Sequence, residues 1–114
     1  MSDQNAREIA QSQPKPKITI YYCTQRNWML RAAWIAQEIL YTFSDDLQEV
    51  ALAPSTGGRY EIWLEETLLW ERKADGGFPE SKAIKQRIRD AIDPERSLGH
   101  SDSPVRPRSE SDSD

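Results

Sequence analysis

A β-prone run that leads directly into a long helical pattern is the feature of this sequence that most constrains its fold. Residues 17–22 place Ile18, Ile20 and Tyr22 on one face of a strand whose two faces could both be buried. Between residues 28 and 43, apolar side chains recur at steps of three and four, which predicts one wide apolar stripe of a helix. The members of that stripe are Met29, Ala32, Ala33, Ala36, Ile39, Leu40 and Phe43. The two patterns together predict a central strand followed by an amphipathic helix.

Three large side chains of the predicted helix, Leu30, Trp34 and Tyr41, lie off its apolar stripe. Two interpretations are open from the sequence. The side chains are half-buried under a neighbouring loop, or they are offered to a binding partner.

The sequence after the helix predicts three further strands. Residues 47–53 predict a second strand with Val50 and Leu52 facing inward, and a strand, helix and strand of this length form a right-handed parallel unit. Residues 59–64 and 68–73 predict a hairpin with a turn at residues 65–67.

A second helix is predicted to begin with Pro79 in its first turn. Its predicted buried residues are Ile84, Ile88, Ala91 and Ile92, and its predicted solvated residues are Lys82, Lys85, Arg87 and Arg89. The element order predicts an α/β fold, β-α-β-β-β-α, with a four-stranded mixed sheet and two helices.

Composition predicts one folded domain, residues 17–93, between two polar segments. Residues 1–16 predict a flexible N-terminal arm, and residues 94–114 predict a disordered C-terminal tail rich in Ser, Asp, Arg and Pro. The formal net charge is −4 with basic and acidic residues interspersed, which excludes the clustered basic face of a nucleic-acid-binding protein. Because the start lacks a signal-peptide pattern and no apolar run is long enough to cross a bilayer, we expect a cytoplasmic protein with no membrane segment.

Cys23, the only cysteine, is the candidate nucleophile. It lies where the strand gives way to the helix, so unpaired N–H groups of the helix start and the charge of Arg26 would favour its thiolate. The alternative is a buried, inert thiol, which is common for an isolated cysteine. The only histidine, His100, lies in the predicted tail without other ligands beside it, so we expect neither a metal site nor a tightly bound cofactor.

Two glycine pairs are predicted to form turns rather than phosphate-binding loops. Gly57-Gly58 and Gly76-Gly77 are not part of a Gly-x-Gly-x-x-Gly or Walker pattern. We expect these turns to bring backbone close to Cys23.

Three landmarks occur in order along the chain: Tyr22-Cys23 with Trp28 and a long helix, residues 56–62 (Thr-Gly-Gly-Arg-Tyr-Glu-Ile), and Lys73 through residues 76–79 (Gly-Gly-Phe-Pro). Together they resemble the selenoprotein W, T and H family, also called Rdx, a branch of the thioredoxin-like proteins. The resemblance covers residues 17–92 and implies a compact thioredoxin-like fold of the soluble selenoprotein W type. It also implies a role in cell redox homeostasis, with glutathione or protein thiols and disulfides as partners.

The chain departs from the family pattern at position 26. Family members carry Cys-x-x-Cys or Cys-x-x-selenocysteine, whereas this chain reads Cys23-Thr24-Gln25-Arg26. An intramolecular disulfide cannot form without a second thiol. The first functional hypothesis is therefore one-cysteine redox chemistry, with glutathione as co-substrate and resolving thiol and with Arg26 contacting the thiolate or a glutathione carboxylate.

The second hypothesis is a redox-inactive member that binds a protein partner through an aromatic-rich surface, which includes Trp28, Trp34, Trp63 and Trp70. The third is a thiol sensor, modified at Cys23 without turnover. A buried Cys23 would favour binding, and an exposed Cys23 of low pKa beside an open groove would favour chemistry.

Overall fold

The central strand of the sheet is the first strand of the chain, as predicted. A computed structural model describes residues 15–99 as β1 (Lys17–Cys23), α1 (Met29–Phe43), β2 (Glu49–Ser55), β3 (Tyr60–Leu64), β4 (Thr67–Glu71) and α2 (Ser81–Ile92). The sheet order is β2-β1-β3-β4, with β1 parallel to β2 and antiparallel to β3. This confirms the predicted α/β fold with a four-stranded mixed sheet, and the arrangement is consistent with a thioredoxin-like fold.

One face of the sheet carries the core. The register places Ile20 beside Ile62 and Tyr22 beside Tyr60, and these side chains pack in a single cluster with residues of both helices. The opposite face of β1 is only half-buried, because both helices lie on the same side of the sheet. The prediction that β1 could be buried on both faces is therefore wrong.

The buried face of α1 is rotated slightly from the predicted stripe. Its buried residues are Ala32, Ile35, Ala36, Ile39 and Phe43. Met29 and Leu40, which were predicted to be buried, are exposed, and Ile35 takes their place. All three of these positions are apolar, and packing against the sheet decides which of them are buried.

The outer face of α1 is apolar and exposed. Leu30, Trp34 and Tyr41 retain 74%, 51% and 89% of their accessible surface. Residues 15–99 therefore leave Leu30 and Tyr41 largely exposed, against the half-buried interpretation, and cover about half of Trp34. Among the other tryptophans, Trp70 is buried in the core and Trp28 and Trp63 are half-buried.

The second helix differs from its prediction in three ways. It begins at Ser81 after an N-cap at Glu80, so Pro79 precedes the helix instead of lying in its first turn. Ala91 is exposed, while Ile92 packs against the core only in part. Lys85 was predicted to be solvated but is buried, with its ammonium 3.1 Å from Glu38 Oε1 on α1.

Residues after the predicted domain boundary contact the helices. The Arg96 guanidinium donates to the Asp46 carboxylate and, at 3.1 Å, to the carbonyl oxygen of Thr42. Leu98 packs against the core. Residues 1–14 and 100–114, including His100, lie outside the described residues, so the predicted arm and most of the predicted tail remain predictions. In residues 15–99, none of the helices has the length and apolar character needed to cross a membrane.

Candidate thiol site

Cys23 lies at the end of β1, where the chain leaves the sheet in a tight turn. The amide of Thr24 donates to the carbonyl oxygen of Ser55 at 3.0 Å, which fastens this end of β1 to β2. The amide of Asn27 then donates to the carbonyl oxygen of Thr24 at 3.1 Å, and Asn27 adopts a φ of 60°. The turn folds the residues that follow Cys23 back over its side chain.

Backbone amides surround the Cys23 sulfur. The Gly58 amide donates to Sγ at 3.2 Å, and the amides of Arg26 and Gln25 also interact with it. Burial acts to raise the pKa of the Cys23 thiol, but these amides and the charge of Arg26 together outweigh it and hold the pKa below its usual value. The arrangement favours a thiolate at this position.

The source of these donors differs from the prediction. The sequence predicted that the start of the helix would stabilise the thiolate, but α1 begins at Met29, five positions beyond the turn residue Thr24. The donors belong instead to the turn after β1 and to the loop at Gly58. The sequence predicted that this glycine loop would lie near Cys23, but it did not predict a hydrogen bond from the loop to the sulfur.

The two glycine pairs have different roles. Gly57 and Gly58 adopt φ angles of 72° and 73°, which L-residues rarely accept, and this conformation presents the Gly58 amide to the sulfur. The Gly57 amide donates to Gln25 Oε1 at 3.2 Å. The carbonyl oxygen of Gly77 instead accepts a hydrogen bond from the Trp70 indole at 2.9 Å. This contact joins the second glycine pair to Trp70 and not to Cys23, contrary to the expectation from the sequence.

An aromatic cluster is joined to Cys23 through the backbone, because the Trp28 amide donates to the Cys23 carbonyl oxygen at 3.4 Å. The rings of Trp28 and Phe78 are 4.8 Å apart, and the ring of Tyr60 lies 4.9 Å from Phe78, both in edge-to-face contact. The Tyr60 hydroxyl is buried without a hydrogen-bond partner among residues 15–99, and burial raises its pKa to about 12. The sequence did not predict this cluster, because its three members come from separate segments that only the tertiary fold brings together.

Access to the sulfur is closed in this conformation. Cys23 has 0% of its surface accessible, and the cavity of about 210 Å³ near Trp70 and Phe78 does not include it among its lining residues. The two sequence criteria thus point in opposite directions, since the thiol is buried, as binding would favour, yet has a lowered pKa, as chemistry would favour. Within the part of the chain that the structure describes, no group of three or more His, Cys, Asp or Glu side chains could hold a metal ion.

Comparison with known proteins identifies the family. The sequence model of the Rdx family matches residues 17–90, which span every strand and nearly all of α2. The chain belongs to the Rdx family.

Two solved structures are similar to this Rdx chain. A selenoprotein W-related protein from Vibrio cholerae is 59% identical, with a TM-score of 0.68, and the match covers 69% of this chain and 99% of that one. A protein from Bordetella parapertussis is 58% identical, with a TM-score of 0.67, over 68% of this chain and 99% of that one. A search of curated proteins found no match. The relationship to selenoprotein W-related proteins supports a redox-type role for this Rdx chain.

Arg26 occupies the position at which the family resemblance implies a second redox atom. Its guanidinium carbon lies 5.9 Å from the centroid of the Trp28 ring, and its positive charge acts on Cys23. Position 26 of this Rdx chain therefore supplies positive charge. The site favours a thiolate at Cys23, and residues 15–99 contain no second thiol.

Proposed function

We propose that this chain is a thiol redox protein in which Cys23 is the nucleophile and glutathione is the resolving thiol. One observation carries the proposal: the amide of Gly58 donates to Cys23 Sγ at 3.2 Å, together with the amides of Arg26 and Gln25. A sulfur held by several amides and a nearby guanidinium is a thiolate at lower pH than an ordinary thiol, and the thiolate is the nucleophile. Membership of the Rdx family supports a redox-type role.

The reaction that suits a single cysteine is the reduction of a mixed disulfide between glutathione and a second thiol compound. The Cys23 thiolate attacks the glutathione sulfur, so the Cys23–glutathione bond forms as the substrate disulfide breaks, and the departing thiolate takes a proton from water. A second glutathione thiolate then attacks the bound glutathione sulfur. This step releases oxidised glutathione and returns Cys23 as a thiolate, and the two electrons that reduce the substrate come from glutathione.

Two features of the site bear on this scheme, the charge of Arg26 and the burial of Cys23. The charge of Arg26 stabilises the Cys23 thiolate both before attack and when it leaves in the second step. Because Cys23 has no accessible surface, attack requires a local opening of the turn at residues 24–27 or of the loop at Gly58.

A reducing cytoplasm, which supplies glutathione, is the compartment in which we propose that the protein works.

The test is the pH dependence of Cys23 alkylation in the folded protein, combined with intact-mass detection of a glutathione adduct. We expect the rate to titrate below the value of about 8.5 for a free cysteine. We also expect oxidised glutathione to form an adduct that reduced glutathione reverses, and Cys23→Ser to form none. An alkylation pKa at or above the free value, with no adduct, would exclude the proposed chemistry.

An interaction module is the second candidate function, and the outer face of α1 favours it. Six of the seven large hydrophobic side chains that are exposed among residues 15–99 lie on α1 or at Leu52 on the edge strand: Met29, Leu30, Trp34, Leu40, Tyr41 and Leu52. Exposed apolar patches of this kind mark protein interaction sites. Slow alkylation without an adduct would support this function, whereas an adduct that forms without turnover would support a thiol sensor.

A further inference from the structure

The arginines of this structure fall into two groups. Four of them pair with carboxylates: Arg59 with Glu61 at 2.9 Å, Arg87 with Asp75 at 2.9 Å, Arg89 with Asp90 at 2.7 Å, and Arg96 with Asp46. The other three, Arg26, Arg31 and Arg72, form no ion pair with any of residues 15–99. In a chain with a formal net charge of −4, carboxylates are not scarce, yet none of residues 15–99 places one on these three arginines.

The three unpaired arginines lie together on the aromatic cluster beside Cys23. The guanidinium carbon of Arg72 is 4.9 Å from the centroid of the Trp28 ring, and that of Arg26 is 5.9 Å from the same ring. The guanidinium carbon of Arg31 is 4.4 Å from the centroid of the Phe78 ring. Stacking on aromatic rings holds each side chain in place without neutralising its charge.

Gly58 connects this arginine group to the thiol. A Cβ atom built on Gly58 would lie 3.5 Å from Arg26 Nε and 3.7 Å from Arg72 Nη2, while the Gly58 amide donates to Cys23 Sγ. The two guanidinium groups are therefore no farther apart than the sum of those two distances. A carboxylate that accepts hydrogen bonds of about 2.8 Å from both groups can bridge a gap of this size.

Two further observations indicate that the group lacks a counter-ion. The Nε atom of Arg72 is buried and has no hydrogen-bond partner among the described residues, which is costly for part of a charged group. The first turn of α1 contains no acidic residue, and Trp28 at its N-cap makes no side-chain capping hydrogen bond. Arg31 lies in that same turn, where a positive charge opposes the helix dipole. A negatively charged ligand would relieve both unfavourable features.

We propose that Arg26, Arg31 and Arg72 bind the carboxylates of a small anionic thiol or disulfide and bring its sulfur to Cys23. This inference rests on the proposed function and specifies the substrate class of the same site. Arg26 and Arg72 hold one carboxylate over Trp28, and Arg31 holds a second over Phe78. The bond changes are those of thiol–disulfide exchange: one sulfur–sulfur bond forms as another breaks, and the leaving thiolate takes a proton from water. Neutral or cationic disulfides are poor substrates, because they leave the three guanidinium groups unpaired.

The first experiment compares two alkylating reagents of similar size, anionic iodoacetate and neutral iodoacetamide. The ratio of their rates with Cys23 reports the local charge, while the opening of the site affects both reagents alike. We expect Arg26→Gln, Arg31→Gln and Arg72→Gln each to lower the iodoacetate-to-iodoacetamide ratio, by up to about threefold for a charge at about 6 Å in a largely aqueous medium. Arg87→Gln removes the same side chain from a paired arginine and should leave the ratio unchanged. Raising the salt concentration should lower the ratio in the wild-type protein.

The second experiment measures binding in the absence of thiol chemistry. S-methylglutathione is titrated into Cys23→Ser while NMR follows the Gly58 amide and the Trp28 indole N–H. We expect saturable shifts that Arg72→Gln weakens and that the diethyl ester of the same compound does not produce. Binding without any glutathione adduct in the wild-type protein would support the arginine site and refute the proposed redox function. Adduct formation with a reagent ratio unchanged in all three variants, and no shift in the titration, would overturn the arginine site and leave the redox function standing.

Discussion

Replacing Gly58 by alanine tests directly whether its amide holds the Cys23 thiolate. Gly58 adopts a φ of 73°, and an added Cβ would be in ordinary contact with Arg26 and Arg72, so the cost of the substitution arises from the backbone and not from a clash. An L-residue in this conformation costs about 1–2 kcal/mol. For a domain of this size, each kcal/mol lowers Tm by about 4–8 °C. If the loop relaxes to relieve this strain, the Gly58 amide moves away from the sulfur and the pKa of the thiol rises.

Gly57→Ala is the matched control for this experiment. Gly57 has nearly the same φ, 72°, and nothing within 4 Å of an added Cβ, but its amide donates to Gln25 and not to the sulfur. We expect both variants to lose similar stability in thermal unfolding. Only Gly58→Ala should shift the pH profile of Cys23 alkylation to higher pH. Identical alkylation profiles for the two variants, each with lowered Tm, would refute the assignment of thiolate stabilisation to the Gly58 amide.

Because the pKa of Cys23 is lower in the folded chain than the value of about 8.5 in the unfolded chain, the thiolate stabilises the fold at high pH. The stability of the wild type relative to Cys23→Ser should therefore rise with pH between these two pKa values. The added stability should be lost as the pH falls through the pKa of the folded state. Urea titrations that show the stability difference declining as the pH rises would contradict this. Lys85→Met should change stability by less than about 1 kcal/mol, because the partly exposed Glu38 carboxylate can be hydrated. Glu38→Ala, which leaves the buried Lys85 ammonium unpaired, should cost about 2 kcal/mol in urea unfolding, and a cost no larger than that of Lys85→Met would contradict the dependence of the buried ammonium on Glu38. Arg26→Cys should form a disulfide with Cys23, detected as a mass loss of two hydrogens, and two free thiols in the oxidised, folded variant would contradict the turn geometry.

The order and type of the elements could be predicted because each rests on a local pattern. The alternation at Ile18, Ile20 and Tyr22 and the three- and four-residue spacing of α1 are both local signals, and both elements appear where the patterns place them. Errors arose where the answer depends on a neighbouring element. Lys85 has the sequence context of a solvated helix residue, and only the approach of Glu38 from α1 makes its burial tolerable.

The candidate site could be located from the sequence, but its chemistry could not be described in full. Cys23 and Arg26 were visible as a single thiol and a nearby charge. The sulfur's hydrogen bond to Gly58 spans 35 positions in the chain, and the stacking of Arg72 on Trp28 likewise joins separate segments. Such contacts leave no periodic signal, so the donors were assigned to the helix start when they belong to the loops.

Arg26 connects two properties of this site, the absence of a second sulfur at position 26 and the positive charge near Cys23. At this position the family resemblance implies a resolving sulfur, and a guanidinium there removes the intramolecular route for releasing a mixed disulfide. The same guanidinium brings positive charge to the sulfur that remains, and Arg72 lies on the other side of Gly58. Under the proposed function, a site without its own resolving thiol depends on one that arrives from solution, and positive charge raises the local concentration of an anionic thiol. Arg26→Cys should therefore exchange one property for the other, gaining the disulfide and losing part of the preference for iodoacetate over iodoacetamide. A variant that gains the disulfide but, once it is reduced, keeps the full wild-type preference would assign the charge selectivity to Arg31 and Arg72 alone.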